Sequence, residues 1–198
     1  MTKRLFDFVT SFFGLILLIP VFVLVALWIK LDSSGGIFFR QERVGLQGVI
    51  FRFHKFRTMV LDSEKERKLL TVAADLRITT IGRFLRKYKL DELPQLIDVL
   101  VGDMSIVGPR PEVQKYIDYY SDDEKYEVLS VKPGMTDYAS VEFIDENELL
   151  ASFKDPEAAY INEVLPRKIA LYRKYVRERS FFGDVVIIFK TIFLIIKK

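Results

Sequence analysis

From Phe12 to Ile29 the chain runs eighteen residues without a charge. As a helix that stretch is about 27 Å long, close to the hydrocarbon thickness of a bilayer, so it constrains the fold before anything else does. It exceeds the apolar core of a secretory signal, and no convincing small-residue cleavage site follows, so we expect it to be retained. Gly14 and Pro20 interrupt it. Pro20 lies near the middle, where it removes a hydrogen bond and crowds the preceding turn; a kink or break is expected there. Lys3 and Arg4 precede the segment, and Lys30, Arg40 and Arg43 follow it, which leaves no charge asymmetry to orient it. A spanning helix and a helix that turns back at Pro20 are both open on these residues alone.

The C-terminal end carries two further apolar stripes. Leu165, Ile169, Tyr172 and Val176 recur at helical spacing among Arg and Lys, and Phe181 to Ile196 is interrupted only by Asp184, Lys190 and Thr191. Both read as amphipathic helices lying in the interface of an anionic leaflet. The alternative, helices facing the core of a soluble domain, suits 165–179 better than 181–196. Charge is blocked along the chain. Residues 40–89 hold thirteen Lys and Arg against five Asp and Glu, residues 116–163 three against thirteen, and residues 164–198 nine against two. The first block suits an anionic partner, and the acidic block reads as a solvated face.

Cysteine is absent and His54 is the single histidine. Thiolate nucleophiles, disulfides, Cys-ligated metals and multi-histidine sites are therefore excluded, and a Ser-His-Asp triad is disfavoured. A metal here should be a hard cation on carboxylates and phosphates. Ser33 to Gly36 is a linker leaving the membrane segment. Ile37–Gln41 and Val49–Phe56 read as strands joined through Gly45–Gly48, a hairpin bearing Arg40, Arg43, Arg52, Lys55 and Arg57. Those cations suit a polyphosphate cradle or lipid headgroups. Glu64–Leu70 and Thr80–Lys89 read as helices, the second placing Arg83, Arg86 and Lys87 just before Leu90-Asp91-Glu92-Leu93-Pro94-Gln95.

That hexapeptide reads as a helix start, with Asp91 near the N-cap, Pro94 in the first turn and Gly102 ending the helix. A carboxylate there stays ionised and can act on phosphate chemistry, or it can simply cap. Pro109 and Pro111 clamp Arg110 in a rigid turn, and Lys132-Pro133-Gly134-Met135-Thr136 forms a second one. No βαβ alternation is evident, which argues against a Rossmann-type domain.

Five ordered motifs resemble the bacterial sugar transferases, the monotopic phosphoglycosyl transferases, over nearly the whole chain: Phe38–Gly45, Lys55–Met59, Leu90–Gln95, Gly102–Pro111 and Lys132–Thr136. The resemblance implies transfer of a sugar 1-phosphate from a UDP-sugar to a polyprenyl (undecaprenyl) phosphate, with UMP leaving, to begin a surface polysaccharide or glycan. It implies a covalent phosphosugar on Asp91, with Glu92 assisting through Mg²⁺ and charge control, so both are candidate catalytic residues and candidate metal ligands. Lys55, Arg57, Arg86 and Arg110 match cationic positions and are the phosphate-binding candidates. A carboxylate nucleophile splits the transfer into two steps, and cations screen the repulsion between anions.

The resemblance also favours re-entry at Pro20, although Ile19 stands where relatives carry Ser. Asp137 departs from a common Gly in a loop that bears on sugar choice. The chain looks like the minimal catalytic form of the family. The expected architecture is α+β, mostly α: a re-entrant membrane helix over 1–33, then a catalytic domain over 34–198 with a β-hairpin and interfacial amphipathic helices. It should sit on the cytoplasmic face of the bacterial inner membrane with UDP-sugar, polyprenyl phosphate and membrane lipids as partners. Dimerisation is left open. Nucleic acid is not expected, since regularly spaced stacking aromatics are missing. The rival reading is a scaffold that binds anionic lipid at the membrane surface.

Overall fold

A computed structural model describes residues 2–60 and 75–197; the helix expected at Glu64–Leu70 falls outside the described residues. The apolar N-terminal segment is part of one helix, α1 (Thr2–Asp32), which stays helical through Pro20. An outright break at that proline is therefore not what forms. Proline removes one donor and displaces one carbonyl, and a helix this long keeps its geometry on either side.

One stripe of α1 is packed against the rest of the chain along its length. Asp7, Ser11, Val25 and Ile29 are buried, Leu15 and Leu18 pack on Phe53 and Leu96, and Val21 and Phe22 pack on Phe56 and Leu85. Both ends are tied by polar contacts. Near the start, Lys3 Nζ lies 2.5 Å from Asp184 Oδ2, and Arg4 donates to the carbonyls of Val99 (2.6 Å) and Leu100 (2.8 Å). Asp7 accepts from Ser105 Oγ at 2.9 Å and Ile106 N at 3.1 Å. Near the end, Arg57 donates to the carbonyls of Ser33 (2.7 Å) and Ser34, and Ile81 N donates to Asp32 Oδ2 (3.1 Å). The opposite stripe is an unbroken apolar surface that includes Leu5, Phe12, Ile16, Val23, Leu27 and Leu31, all exposed.

The hairpin forms as expected: β1 (Phe38–Val44) pairs antiparallel with β2 (Ile50–Phe56), Phe38 facing Phe56 and Val44 facing Ile50. Its turn needs left-handed backbone at Gln47 and Gly48. Helix α2 (Thr80–Lys87) starts on a Thr79 side-chain cap and ends two residues before the expected limit. It sits so close to β2's exit that a Cβ on Gly82 would lie 2.2 Å from Thr58 O. Helix α3 (Gln95–Val101) ends at Gly102 with φ +100°, the expected glycine stop.

Two three-residue strands escaped the sequence reading. β3 (Ser105–Val107) and β4 (Gly134–Thr136) pair in parallel across a connection carrying α4 (Gln114–Ile117) and α5 (Asp122–Val128). A single parallel crossover is thus present despite the lack of a βαβ pattern, because three residues are too few to show periodicity. Where the strands leave each other the backbones nearly touch: a Cβ on Gly134 would fall 2.1 Å from Gly108 N.

After β4 come α6 (Tyr138–Glu142), capped by Asp137, and α7 (Glu146–Ala151). Asp155 then caps α8 (Pro156–Ala159), which continues through a π turn at Tyr160–Val164 into α9 (Leu165–Glu178). Helix α9 packs inward through Leu165, Ile169 and Tyr172, so of the two expected interfacial helices this one is largely core. The last helix, α10 (Phe181–Ile196), buries Asp184 and Ile187 and exposes Phe182, Val186, Phe189, Phe193 and Ile196. Spacing of four and three residues keeps these five on one face.

Gly134→Ala should destabilise the protein by about 3 kcal/mol or more, the upper range for overpacking, because the added methyl meets backbone that has nowhere to go. Thermal unfolding of the purified variant beside the wild type checks this.

Candidate active site

Lys89 takes a left-handed conformation (φ 54°) and turns the chain out of α2 into a 3₁₀ turn, Leu90–Glu92. Leu93 and Pro94 are right-handed helical, so residues 90–101 form one helical stretch. Asp91 therefore sits inside the first turn, not at an N-cap, and its side chain caps nothing.

Glu92 is saturated. Its Oε1 accepts from Lys55 Nζ at 2.8 Å and from Arg110 Nη2, and its Oε2 accepts from Arg110 Nη1 at 3.0 Å. The two prolines do what the sequence suggested, presenting Arg110 as a two-pronged donor. Burial acts to raise Glu92, but Arg110 and Lys55 outweigh it and hold the carboxyl well below its ordinary value.

Asp91 is the opposite case. It is 5% exposed, and its Oδ1 is buried without a hydrogen-bond partner. Burial pushes its pKa up, with Glu92's charge adding to the effect and Lys55 and Arg86 opposing it. The helix start does not by itself hold the Asp91 pKa down: desolvation outweighs the weak field of a short turn and moves it up. Four cations, Lys55, Arg86, Lys89 and Arg110, act on the two carboxylates. The local excess is positive and suits a multiply charged anion.

An open cleft of about 570 Å³ is lined by Arg83, Arg86 and Lys89 together with Asp145, Asn147 and Glu148, so it shares Arg86 and Lys89 with the dyad's cations. Arg86 is pinned by Nε on Thr58 Oγ1 at 2.8 Å.

The whole chain, residues 1–198, matches the family model described as bacterial sugar transferase. The chain belongs to that family. It is 37% identical over 197 residues, 96% of this chain, to a UDP-glucose:undecaprenyl-phosphate glucose-1-phosphate transferase of Escherichia coli K12. It is 34% identical over 212 residues, 99% of this chain, to an undecaprenyl-phosphate galactose phosphotransferase of Salmonella typhimurium. The match spans 39% and 40% of those two proteins, so the chain corresponds to about two fifths of their length. The exopolysaccharide production protein ExoY of Rhizobium meliloti is 33% identical over 207 residues, 97% of this chain and 84% of its own length.

Of the sugar transferase positions singled out in the sequence, Asp91, Glu92, Lys55, Arg86 and Arg110 come together. Arg57 does not join them. It is 6% exposed, and its guanidinium caps the carbonyls at the end of α1. Asp137 is fully buried and accepts from Ser140 N at 2.6 Å, so it caps α6 instead of reaching the cleft. His54 is held by Asp98, its Nδ1 2.6 Å from Oδ1 and its backbone N donating to Oδ2, which ties β2 to α3 beneath the dyad.

Lys89 was missed as a site residue; its place two residues before Asp91 was the available signal. Behind Arg110, the buried trio of Glu112, Tyr160 and Lys168 (2.6 Å and 3.1 Å to Glu112 Oε1) was also missed, because its members come from separate segments. As a Mg²⁺ cage the dyad does not fit. Both Glu92 oxygens are taken by cations, and no cluster of three His, Asp or Glu side chains occurs among the described residues.

These environments give the two carboxylates opposite effects on stability. Asp91's folded pKa is raised, so its contribution is complete at low pH and lost as pH rises through that value; at neutral pH the charge is a cost. Glu92's is depressed, so its contribution is present above its unfolded pKa and lost as pH falls through the folded one. Asp91→Asn should therefore melt at or above the wild-type temperature at neutral pH. Glu92→Gln should cost about 3 kcal/mol, since it strands Lys55 and Arg110 together. Melting curves of both variants in detergent check the contrast.

Proposed function

We propose that this chain transfers a sugar 1-phosphate from a UDP-sugar to undecaprenyl phosphate, releasing UMP, as an opening step in building a surface polysaccharide. The observation that carries the reading is Asp91: a buried carboxylate with an unpaired oxygen, beside a saturated Glu92 and four cations. The Escherichia coli and Salmonella typhimurium relatives, both named for transfer to undecaprenyl phosphate, support it.

Asp91 attacks the phosphorus that bears the sugar. The bridging bond from that phosphorus to the UMP oxygen breaks, and UMP leaves with the electron pair. An oxygen of the polyprenyl phosphate then attacks the same phosphorus, and the bond to Asp91 breaks to return the carboxylate. Neither step needs a proton shuttle, which suits a site whose one nearby imidazole is engaged by Asp98. Lys55, Arg86, Lys89 and Arg110 offset the phosphate charges, and burial makes each of those interactions stronger than in water. Mg²⁺ belongs in this reading to the diphosphate and not to the dyad, and when bound it would lower phosphate charge.

The lipid substrate calls for a membrane surface, and the open apolar faces of α1 and α10 supply one. Polar contacts at Lys3, Arg4 and Asp7 hold the start of α1 to the same body that Arg57 and Asp32 hold at its end. Both ends then lie on the cytoplasmic side, and the helix dips into one leaflet. The chain has no cysteine, so Thr2→Cys gives a single label site. An impermeant maleimide should label it in everted membrane vesicles and leave it unlabelled in intact cells. Labelling from outside would mean a spanning helix.

The reaction is tested by UMP release from nanodisc-purified protein given a panel of UDP-sugars, undecaprenyl phosphate and Mg²⁺. UMP should form with a member of the panel, and Asp91→Asn should lower the rate by at least about 10³-fold, as loss of a covalent nucleophile does. Retained turnover in that variant would exclude Asp91 as nucleophile. A lipid-binding scaffold would release no UMP at all.

A further inference from the structure

Gln95 is 1% exposed, and both its Nε2 and its Oε1 are buried without a hydrogen-bond partner. A carboxamide in that state costs the fold free energy that an apolar side chain of the same shape would not. It lies four residues after Asp91 in the continuous helical stretch 90–101, so the two share one helical face. Asp91 Oδ1 is the other unpaired buried atom on that turn. Around them Glu92 is held by Lys55 and Arg110, Arg86 by Thr58 and His54 by Asp98.

We propose that Gln95 is the positioning residue for Asp91, with its Nε2–H donating to Oδ1 and turning the other carboxylate oxygen toward the phosphorus. The inference rests on the covalent reading above. An uncharged amide suits both states of the nucleophile. In this structure Nε2 and Oδ1 both stand unpaired, so the bond forms once the UDP-sugar donor fills the site, where an amide contacts the carboxylate without quenching it as a cation would. Once the other oxygen is bonded to phosphorus, Oδ1 is the carbonyl oxygen of an acyl phosphate and still accepts the same hydrogen. When the polyprenyl phosphate attacks, the phosphorus–oxygen bond breaks and negative charge returns to the carboxylate, which the N–H stabilises. The amide therefore favours the second step, in which Asp91 leaves, more than the first, in which Asp91 gives up charge.

The test is Gln95→Met, which keeps length and volume and removes both polar atoms. Three quantities are read on wild type and variant: melting temperature, the burst of UMP without undecaprenyl phosphate, and steady-state turnover with it. The variant should melt at or above the wild-type temperature, keep a burst of one UMP per enzyme, and turn over about 10- to 100-fold more slowly, the worth of one hydrogen bond to a charged group. KM for the UDP-sugar should not rise. Unchanged turnover would overturn the proposal. So would a lowered melting temperature, which would mean the amide already has a structural partner, or loss of the burst together with turnover. A wild-type enzyme that turns over without a burst would instead remove the covalent reading itself.

Discussion

Glu92 lies where three separately folded pieces meet, and its two oxygens hold them together. Lys55 arrives on β2, Arg110 on the proline-clamped turn after β3, and Glu92 itself on the 3₁₀ turn before α3. Without that carboxylate the two cations would face each other in a buried place, and β2 and the turn would lose the contact that joins them at the dyad. With it, the charges it absorbs leave Asp91 alone in a positive surround. Two adjacent acids thus divide the work by environment: one is consumed by structure, and the other is kept unpaired at some cost in stability. Such a pairing of stable scaffold and strained group is the usual mark of a site that does chemistry.

The membrane side follows from the same economy of contacts. Helix α1 is apolar nearly all round, yet its inward stripe carries Asp7 and Ser11, both buried. A carboxylate in such a helix survives only because Ser105 and Ile106 satisfy it, and those residues open the strand that leads to Arg110. The apolar helix and the turn that carries Arg110 are therefore linked through one short strand. In the proposed reaction a lipid-borne acceptor and a water-borne donor meet at Asp91.

Much of this was legible in the sequence, and the exceptions share a cause. The apolar segment, the hairpin and the glycine stop at Gly102 rest on local patterns, while the grouping of Lys55, Arg86 and Arg110 with Asp91 and Glu92 was implied by the family resemblance. What escaped depends on contacts between distant residues. The β3–β4 pair is visible only in space, where Gly108 and Gly134 let two backbones nearly touch. Arg57 carries the same charge as Lys55 two positions earlier, but β2 ends at Phe56, and past that end its guanidinium turns to the carbonyls that close α1. The helix start seemed to favour an ionised Asp91 because burial cannot be read from a hexapeptide. Lys89 entered only as the end of a helix and Gln95 only as the end of the Leu90–Gln95 motif, because the charge environment of the first and the burial of the second depend on distant residues.

The central claim is that Asp91 becomes covalently bonded to the sugar-bearing phosphorus. Peptide mass spectrometry of protein quenched after mixing with its UDP-sugar, with no lipid acceptor present, tests it most directly. The account predicts a sugar-phosphate adduct on the peptide containing Asp91, lost on adding undecaprenyl phosphate. An adduct on another residue, or an unmodified protein that releases UMP only when the acceptor is present, would contradict it.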